Sequence, residues 1–408
     1  MARVLFGWEF GAGLGHVMRL LPIATALREA GHEPIFAVQD LRTVHDLFSE
    51  RPTDSKGFAL LQAPYWHPPR HPNARKVPTH SFADVLKLYR YGDTALLSAM
   101  VEGWSGILHM IAPDLVVLDF APTAALATAA LCPTVVLGNG YTVPPAGRRL
   151  PPIRPWKTGL PSSSLAAEDE ILRAVNAIQK ARHRPPISFL SDLFSGDETF
   201  VCTIPEFDPY AAYRHHLPLP PFNLPKVHKH PPIETRAENT VFLYLPADHP
   251  NLRAVLTALA ELNVTCDAFI PGLPASLKSL FASTKLRFYE KPQPLAEILP
   301  RVRTIVHHGG LATAYAALLA GTPQLVLTRS LEHLITAHGL KRFKTALVLS
   351  GNRNHSPQAV AQSLRAALSN QEIWRAAQMA AEALAPTLDL NPLDTIVQKC
   401  EGLLQCPS

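Results

Sequence analysis

Residues 305–340, IVHHGGLATAYAALLAGTPQLVLTRSLEHLITAHGL, constrain the fold more than any other stretch of this chain. Thr304, Ile305 and Val306 are β-branched strand formers, Gly309 and Gly310 permit a tight turn, and residues 311–319 form a glycine-free apolar run of helical length. Gly321-Thr322-Pro323 ends that helix, residues 324–328 read as the next buried strand, and Glu332 with His333 opens another helix. A strand turning through Gly-Gly into a helix leaves the first helical amides without intrahelical acceptors, at the positive end of the macrodipole. Such an end holds an anion, so the segment reads as a diphosphate cradle to which His308 and Thr313 add side-chain donors. The same pattern occurs in any βαβ unit. What sharpens it is the acid and imidazole of Glu332 and His333 at the carboxyl end of the following strand, the edge where open α/β sheets bind ligands.

At 408 residues the chain exceeds the usual size of one core and predicts two domains of about 200 residues each. Only 17% of residues are charged and 47% are hydrophobic, which excludes a disordered chain and fits a well-buried α/β globule. The net charge of +5 comes without an aromatic-interleaved basic stripe, so no nucleic-acid partner is expected. Cys132, Cys202, Cys266, Cys400 and Cys406 are odd in number and lack metal-like spacing, predicting a reduced, cytoplasmic protein. The start of the chain reads as strand and glycine-rich loop rather than signal peptide, and no apolar run of about 18 residues predicts a transmembrane helix. Peripheral membrane contact stays open.

The first half alternates strands and helices. Residues 2–6 predict a strand, GWEFGAGLGH a glycine-rich loop, and Val17, Leu20, Leu21, Ala24 and Leu27 a helix that Gly31 stops. Strands follow at 34–38 and 59–62 around a helix at 41–48, giving βαβαβ. A helix-like stretch at 82–110 leads to a strand with an acid at each end, Asp114 and Asp119, then a small-residue helix at 124–130 and a strand at 134–137. Gly11, Gly13 and Gly15 do not meet the GxGxxG spacing, and Val38-Gln39 stands where a dinucleotide site needs an acid, so that reading is rejected. His16 stands out instead, at a helix start whose field favours a neutral, proton-accepting ring. Asp119, on the same rim, suits the carboxylate that would orient such a base. Taken alone, a histidine at a helix start such as His16 is more often a cap or a packed side chain, and Asp119 reads equally as a cap for a helix near Thr123.

Residues 141–164 and 204–232 hold many of the 39 prolines and read as loops. Arg148, Arg149, Arg154, Trp156 and Lys157 predict either a solvated basic loop or a wall for an anionic or lipid-linked acceptor. His215, His216, His228 and His230 lack rigid spacing and read as linker histidines rather than metal ligands. Six strands are expected again beyond residue 239, at 241–245, 264–270, 286–289, 304–306, 324–327 and 346–349, with helices after Pro357. The expected organisation is a domain at 1–215, a proline-rich linker at 216–238, a second domain at 239–385, and a last helix at 386–408 that crosses back to the first domain.

His308-Gly309-Gly310 through Pro323-Gln324-Leu325-Val326-Leu327, together with Gly15-His16 and Leu20-Leu21-Pro22 near the start, resembles the inverting glycosyltransferases of the B-type double-Rossmann fold. The resemblance covers the second half and about the first 140 residues, and implies an α/β protein of two Rossmann-like parallel-sheet domains facing a central cleft. It implies a metal-independent, inverting hexosyltransferase without a cofactor, using a nucleotide-diphosphate sugar, UDP- or dTDP-linked, and a hydroxyl-bearing small-molecule or lipid-linked acceptor. In that family His16 would be the base and Asp119 its partner. His308, Gly309, Gly310, Ala312 and Thr313 would hold the donor diphosphate, Glu332 and His333 the donor sugar, and Tyr289, Lys291 and Gln293 the base and ribose. Ala316 replaces the glutamate that commonly binds the ribose hydroxyls, His333 replaces a glutamine, and Glu290 stands in place of a stacking tryptophan, with Tyr289 beside it. Two other readings share these residues: a nucleotide-sugar epimerase of the same fold, and a non-catalytic relative that binds a nucleotide sugar or a partner enzyme.

Overall fold

The computed structural model describes residues 1–11, 13–49, 57–67, 78–222, 235–349 and 353–405. The chain divides into two compact units, Met1–Asn223 with Asn391–Ser408, and Leu224–Leu390. Much of the proline-rich stretch at 216–238, including His228 and His230, lies outside the described residues, as does Cys406. His215 and His216 are exposed.

In the first unit the elements run β1 (Arg3–Trp8), α1 (Gly15–Glu29), β2 (Glu33–Val38), α2 (Leu41–Ser49), β3 (Ala59–Gln62), α3 (Phe82–Leu88), α4 (Thr94–Ile111), β4 (Leu115–Asp119), α5 (Pro122–Thr128), β5 (Thr134–Gly138), α6 (Ser162–Ala181) and β6 (Glu198–Val201). The six strands are all parallel, in the order β3-β2-β1-β4-β5-β6. Every residue of β4 and β5 is buried, as expected of parallel strands covered on both faces. The order reverses between β1 and β4, whose last residues, Trp8 and Asp119, are register partners.

Three sequence expectations change here. The first strand extends through Gly7 and Trp8 rather than stopping at Phe6, because Gly7 lets the Leu118 side chain approach to 2.6 Å from where a β-carbon would sit. The stretch at 82–110 is two helices, not one. Arg90 takes a left-handed φ of 59°, and the Asp93 side chain caps the second helix by accepting from the Leu96 N–H. The short strand β6 was hidden by its length of four residues, and it pairs with β5 beside Asp197, whose carboxylate accepts from the Thr134 N–H at 2.7 Å.

The second unit comprises β7 (Thr240–Tyr244), α7 (Leu252–Glu261), β8 (Thr265–Phe269), α8 (Ala275–Phe281), β9 (Leu286–Tyr289), α9 (Leu295–Ile298), β10 (Thr304–His307), α10 (Leu311–Leu319), β11 (Gln324–Leu327), α11 (Leu331–Phe343), β12 (Ala346–Leu349), α12 (Pro357–Ser369) and α13 (Gln371–Leu384). Its strands are also all parallel, in the order β12-β11-β10-β7-β8-β9. Counted from its own first strand, this is the order of the first sheet, with the reversal between β7 and β10. The last helix, α14 (Pro392–Gln405), belongs to the first unit. Its Ile396 and Cys400 are fully buried in the same core as Leu20, Leu27 and Leu115, and Glu401 bonds the His32 ring at 3.1 Å. Among the described residues, no helix is long and apolar enough to cross a membrane.

A buried arginine ties the floor of the second unit together. The Arg236 guanidinium donates to the carbonyls of Leu299, Val302 and Ala320 and to the Thr322 hydroxyl at 2.7–3.2 Å. Truncation would strand several buried acceptors at once. Arg236→Met is therefore expected to destabilise this unit by roughly 3–5 kcal/mol, read as a lowered urea midpoint. A midpoint within experimental error of the parent would show the network to be dispensable.

Candidate functional site

In the first unit the chemistry gathers where the strand order reverses. The loop after β1 feeds α1, which begins at Gly15 with no side-chain cap, and His16 is its second residue. Asp119, the last residue of β4, is fully buried. His16 Nδ1 lies 2.8 Å from Asp119 Oδ1, and Arg19 Nη1 donates to Asp119 Oδ2. An ionised carboxylate only accepts, so this contact places the proton of a neutral His16 on Nδ1 and leaves the lone pair on Nε2. Asp119 does not cap the helix near Thr123, because Glu9 does that work.

The ring of His16 is held by aromatic neighbours. It stacks on Trp8 at 5.4 Å between centroids and packs against Phe120 at 5.9 Å. Phe120 has a φ of 51°, a left-handed backbone that costs a bulky residue about 1–3 kcal/mol. Its carbonyl accepts from the Phe10 N–H at 3.0 Å, and its ring packs on Phe10 and Phe82, which hold the turn. Gly11, at φ +89°, passes so close that a β-carbon there would stand 2.5 Å from His16 Nε2. A cavity of about 650 Å³ opens beside it, lined by Trp8, Gly11, Gly13, Gln39, Asp40, Leu41, Arg42, Gln62 and Tyr65. Gly11→Ala is expected to block the free nitrogen and to reduce kcat at least ~10-fold, with native circular dichroism and a Tm lowered by the strain of alanine at a positive φ, a cost of about 1 kcal/mol or more. Unchanged turnover would mean that Nε2 is reached from elsewhere.

Glu9 escaped the sequence reading, since only its place beside the glycine loop marks it. It is fully buried and accepts from Trp66 Nε1 at 2.6 Å and from the Thr123 N–H at 3.0 Å, which fixes the start of α5. Burial raises its pKa from 4.5 to about 7, against the opposing pull of those hydrogen bonds. The folded state therefore binds the proton more tightly than the unfolded chain. This effect on stability is absent below about pH 4.5, where both states are protonated. It grows as a loss of stability up to about pH 7 and then stays constant. Glu9→Gln should flatten that decline, which amounts to at most about 3 kcal/mol, in urea midpoints measured from pH 5 to 8. An unchanged slope would remove Glu9 as its source.

In the second unit, β10 ends at His307 and the chain turns through His308, Gly309 and Gly310 into α10, which also lacks a side-chain cap. Gly309 has a φ of +98°, with the His333 carbonyl 3.1 Å from where a β-carbon would stand. Sequence reasoning missed the residue that sets this turn. His307 is fully buried, its Nε2 bonds Gln324 Oε1 at 2.9 Å, and its Nδ1 accepts from the Gly309 N–H at 3.1 Å. Burial, then the neighbouring His308, push its pKa down to about 3. The paired donor and acceptor roles of its two nitrogens describe a neutral ring.

His308 lies against His333 at 4.6 Å between ring centroids and against Tyr244 at 5.7 Å. Burial lowers the pKa of His308 to about 4 and that of His333 to about 3, with neighbouring cationic groups adding to both shifts. Their Nδ1 atoms are buried without a hydrogen-bond partner among the described residues. Thr313 is buried in the first turn of α10 beside the more exposed Ala312. Glu332 is half-buried in the first turn of α11, where the Ser330 hydroxyl accepts from the His333 N–H at 3.2 Å.

The helix start thus gathers His308, Gly309, Gly310, Ala312, Thr313 and His333. Tyr289, Lys291 and Gln293 are not part of that cluster. They sit at the end of edge strand β9, three strand spacings or about 14 Å from β10, with Gln293 Nε2 donating to the Lys291 carbonyl at 3.0 Å. Ala316 faces the core with Phe242 and Ile305 and offers no polar group. The three arginines of the middle loop are engaged within their own unit. Arg148 lies over the Tyr213 ring at 4.8 Å, Arg149 pairs with Asp169 at 2.7 Å, and Arg154 Nε donates to the Thr79 carbonyl at 3.0 Å. Among the described residues, no group of three or more His, Cys, Asp and Glu is arranged to hold a metal ion.

This architecture matches solved glycosyltransferases over nearly the whole chain. The calicheamicin glycosyltransferase CalG4 aligns with a TM-score of 0.66 and 17% identity over 100% of this chain and 99% of its own. The glycosyltransferase VinC, in complex with dTDP, aligns at 0.64 and 18% over 99% of both chains. The fold is therefore the B-type double-Rossmann fold of the glycosyltransferases. Residues 287–403 match the family model described as erythromycin biosynthesis protein CIII-like, C-terminal domain. A PGL/p-HBAD biosynthesis glycosyltransferase of Mycobacterium tuberculosis is 26% identical over 94% of this chain and 89% of its own. A PGL/p-HBAD biosynthesis rhamnosyltransferase of Mycobacterium bovis is 28% identical over 93% and 84%. The chain is a glycosyltransferase of this B-type class.

Proposed function

We propose that the chain is an inverting, metal-independent glycosyltransferase that moves a sugar from a nucleotide diphosphate to a hydroxyl acceptor. The observation that carries this reading is the buried carboxylate bonded to His16 Nδ1, with Nε2 left beside the side-chain-free Gly11. His16 Nε2 takes the acceptor hydroxyl proton as the oxygen attacks the anomeric carbon, and Asp119 stabilises the imidazolium that forms. The bond to the diphosphate breaks on the opposite face, so the configuration inverts.

The leaving diphosphate gains negative charge, which the open amides of α10, the Thr313 hydroxyl and His308 would meet with hydrogen bonds. Gly309, Gly310 and Ala312 bring the backbone close. Glu332 and His333 take the sugar hydroxyls in this reading, and Tyr289, Lys291 and Gln293 the base and ribose. A dTDP-sugar is the favoured donor. Ala316 provides no acceptor for a ribose 2′-hydroxyl, which the deoxyribose of dTDP lacks, and VinC was solved with dTDP. The relatives' names support a deoxyhexose such as rhamnose as the sugar.

His16→Ala should lower kcat by about 10²–10⁴-fold while donor binding, followed by the donor-induced rise in Tm, is retained. Turnover should also survive exhaustive chelation. Undiminished transfer by His16→Ala would overturn the base assignment, and activity lost to chelator and restored by Mg²⁺ would overturn metal independence. Isomerised nucleotide sugar formed from donor alone would identify an epimerase instead.

A further inference from the structure

Asp119 has no exposed surface, and an ionised carboxylate so placed needs a compensating charge. His16 supplies one only by taking a proton, which removes the lone pair a base must offer. Arg19 resolves the conflict. It lies three residues beyond His16 on the same face of α1, its side chain is 15% exposed, and its Nη1 donates to the carboxylate oxygen that His16 does not use. We propose that Arg19 is a positioning residue that carries the charge of Asp119, leaving His16 uncharged and basic at neutral pH. This rests on the reading of His16 as the base.

The charges sum to zero when His16 is neutral. A guanidinium keeps its proton at any working pH and directs its N–H groups in a rigid plane, so Arg19 fixes both the ionisation of Asp119 and the orientation of its two oxygens. One oxygen is held by Arg19, and the other is thereby turned to Nδ1. The Cys202 thiol, just after β6, senses both Arg19 and Asp119, but burial pushes its pKa up to about 12 and keeps it neutral. Glu9, after β1, is turned to Trp66 and the start of α5. Trp8 and Phe120 present uncharged rings to His16. Without Arg19, the carboxylate would draw a proton onto His16.

The test compares the parent with Arg19→Gln and Arg19→Lys, using the pH dependence of kcat/KM and the histidine ring signals in ¹⁵N NMR. The His16 signal is identified by its loss in His16→Gln. Arg19→Gln should move both the acid limb of kcat/KM and the His16 ring titration to higher pH by about one unit or more, a roughly tenfold loss of rate on the acid side. Arg19→Lys should restore most of that shift. An Arg19→Gln protein with native circular dichroism and both titrations in place would overturn the proposal. If that variant does not fold, Asp119→Asn should move the His16 titration to lower pH, and an unmoved titration would overturn the proposal equally. The NMR arm needs no turnover. A ring titration that shifts while the rate profile stays put would therefore sink the base assignment and leave the ion-pair coupling standing.

Discussion

Parallel strands covered on both faces leave reactive side chains one place to stand, the carboxyl ends of the strands, where neighbouring loops part in opposite directions. Both units obey that constraint with the same strand order. In the first, Trp8 and Asp119 end the two strands that flank the reversal. In the second, Tyr244 and His307 do. Each reversal is followed by a glycine turn and a helix without a side-chain cap, so each unit gathers open helix amides beside imidazole, His16 in the first unit and His308 with His333 in the second. One backbone solution recurs, and what differs is the set of residues around the imidazoles.

Those surroundings differ in sign of effect. The first unit buries charge with its partner, with Asp119 between Arg19 and His16, and it buries Glu9 without a cation. The second unit buries imidazoles that burial keeps neutral, His307, His308 and His333. Their depressed pKa values stabilise the fold fully above about pH 6.5, and that contribution is lost as pH falls toward 3 or 4, because the unfolded chain takes up the protons first. Glu9 acts the other way, weakening its unit as pH rises toward 7. These buried groups thus respond to pH in opposite directions.

Much of this is legible in the sequence. Glycine turns and apolar periodicity mark α10 and the strands on either side of it, because a buried parallel strand and an apolar helix leave continuous signatures. His16 and Asp119 could be paired in advance because both fall at strand or helix ends on one rim. Arg19 and Glu9 could not. Their roles depend on side chains distant in sequence, Asp119 for one, Trp66 and Thr123 for the other, and nothing local distinguishes them from a solvated helix arginine or a loop glutamate. His307 was similarly masked by its neighbour His308, since adjacent residues point to opposite sides of a strand and only the structure tells which side meets Gln324. Tyr289, Lys291 and Gln293 rested on resemblance alone; Tyr289 ends the edge strand β9, and Lys291 and Gln293 follow it in the next loop.

Helix α14 sets an order of assembly. Ile396 and Cys400 fill the core beneath α1, and Leu393, Val397, Leu403 and Leu404 pack around it. A ribosome delivers the first six strands long before it delivers these side chains, so the unit made first must wait with part of its apolar surface open until the second has emerged. That interval of incomplete burial is when the nascent chain most needs protection from aggregation.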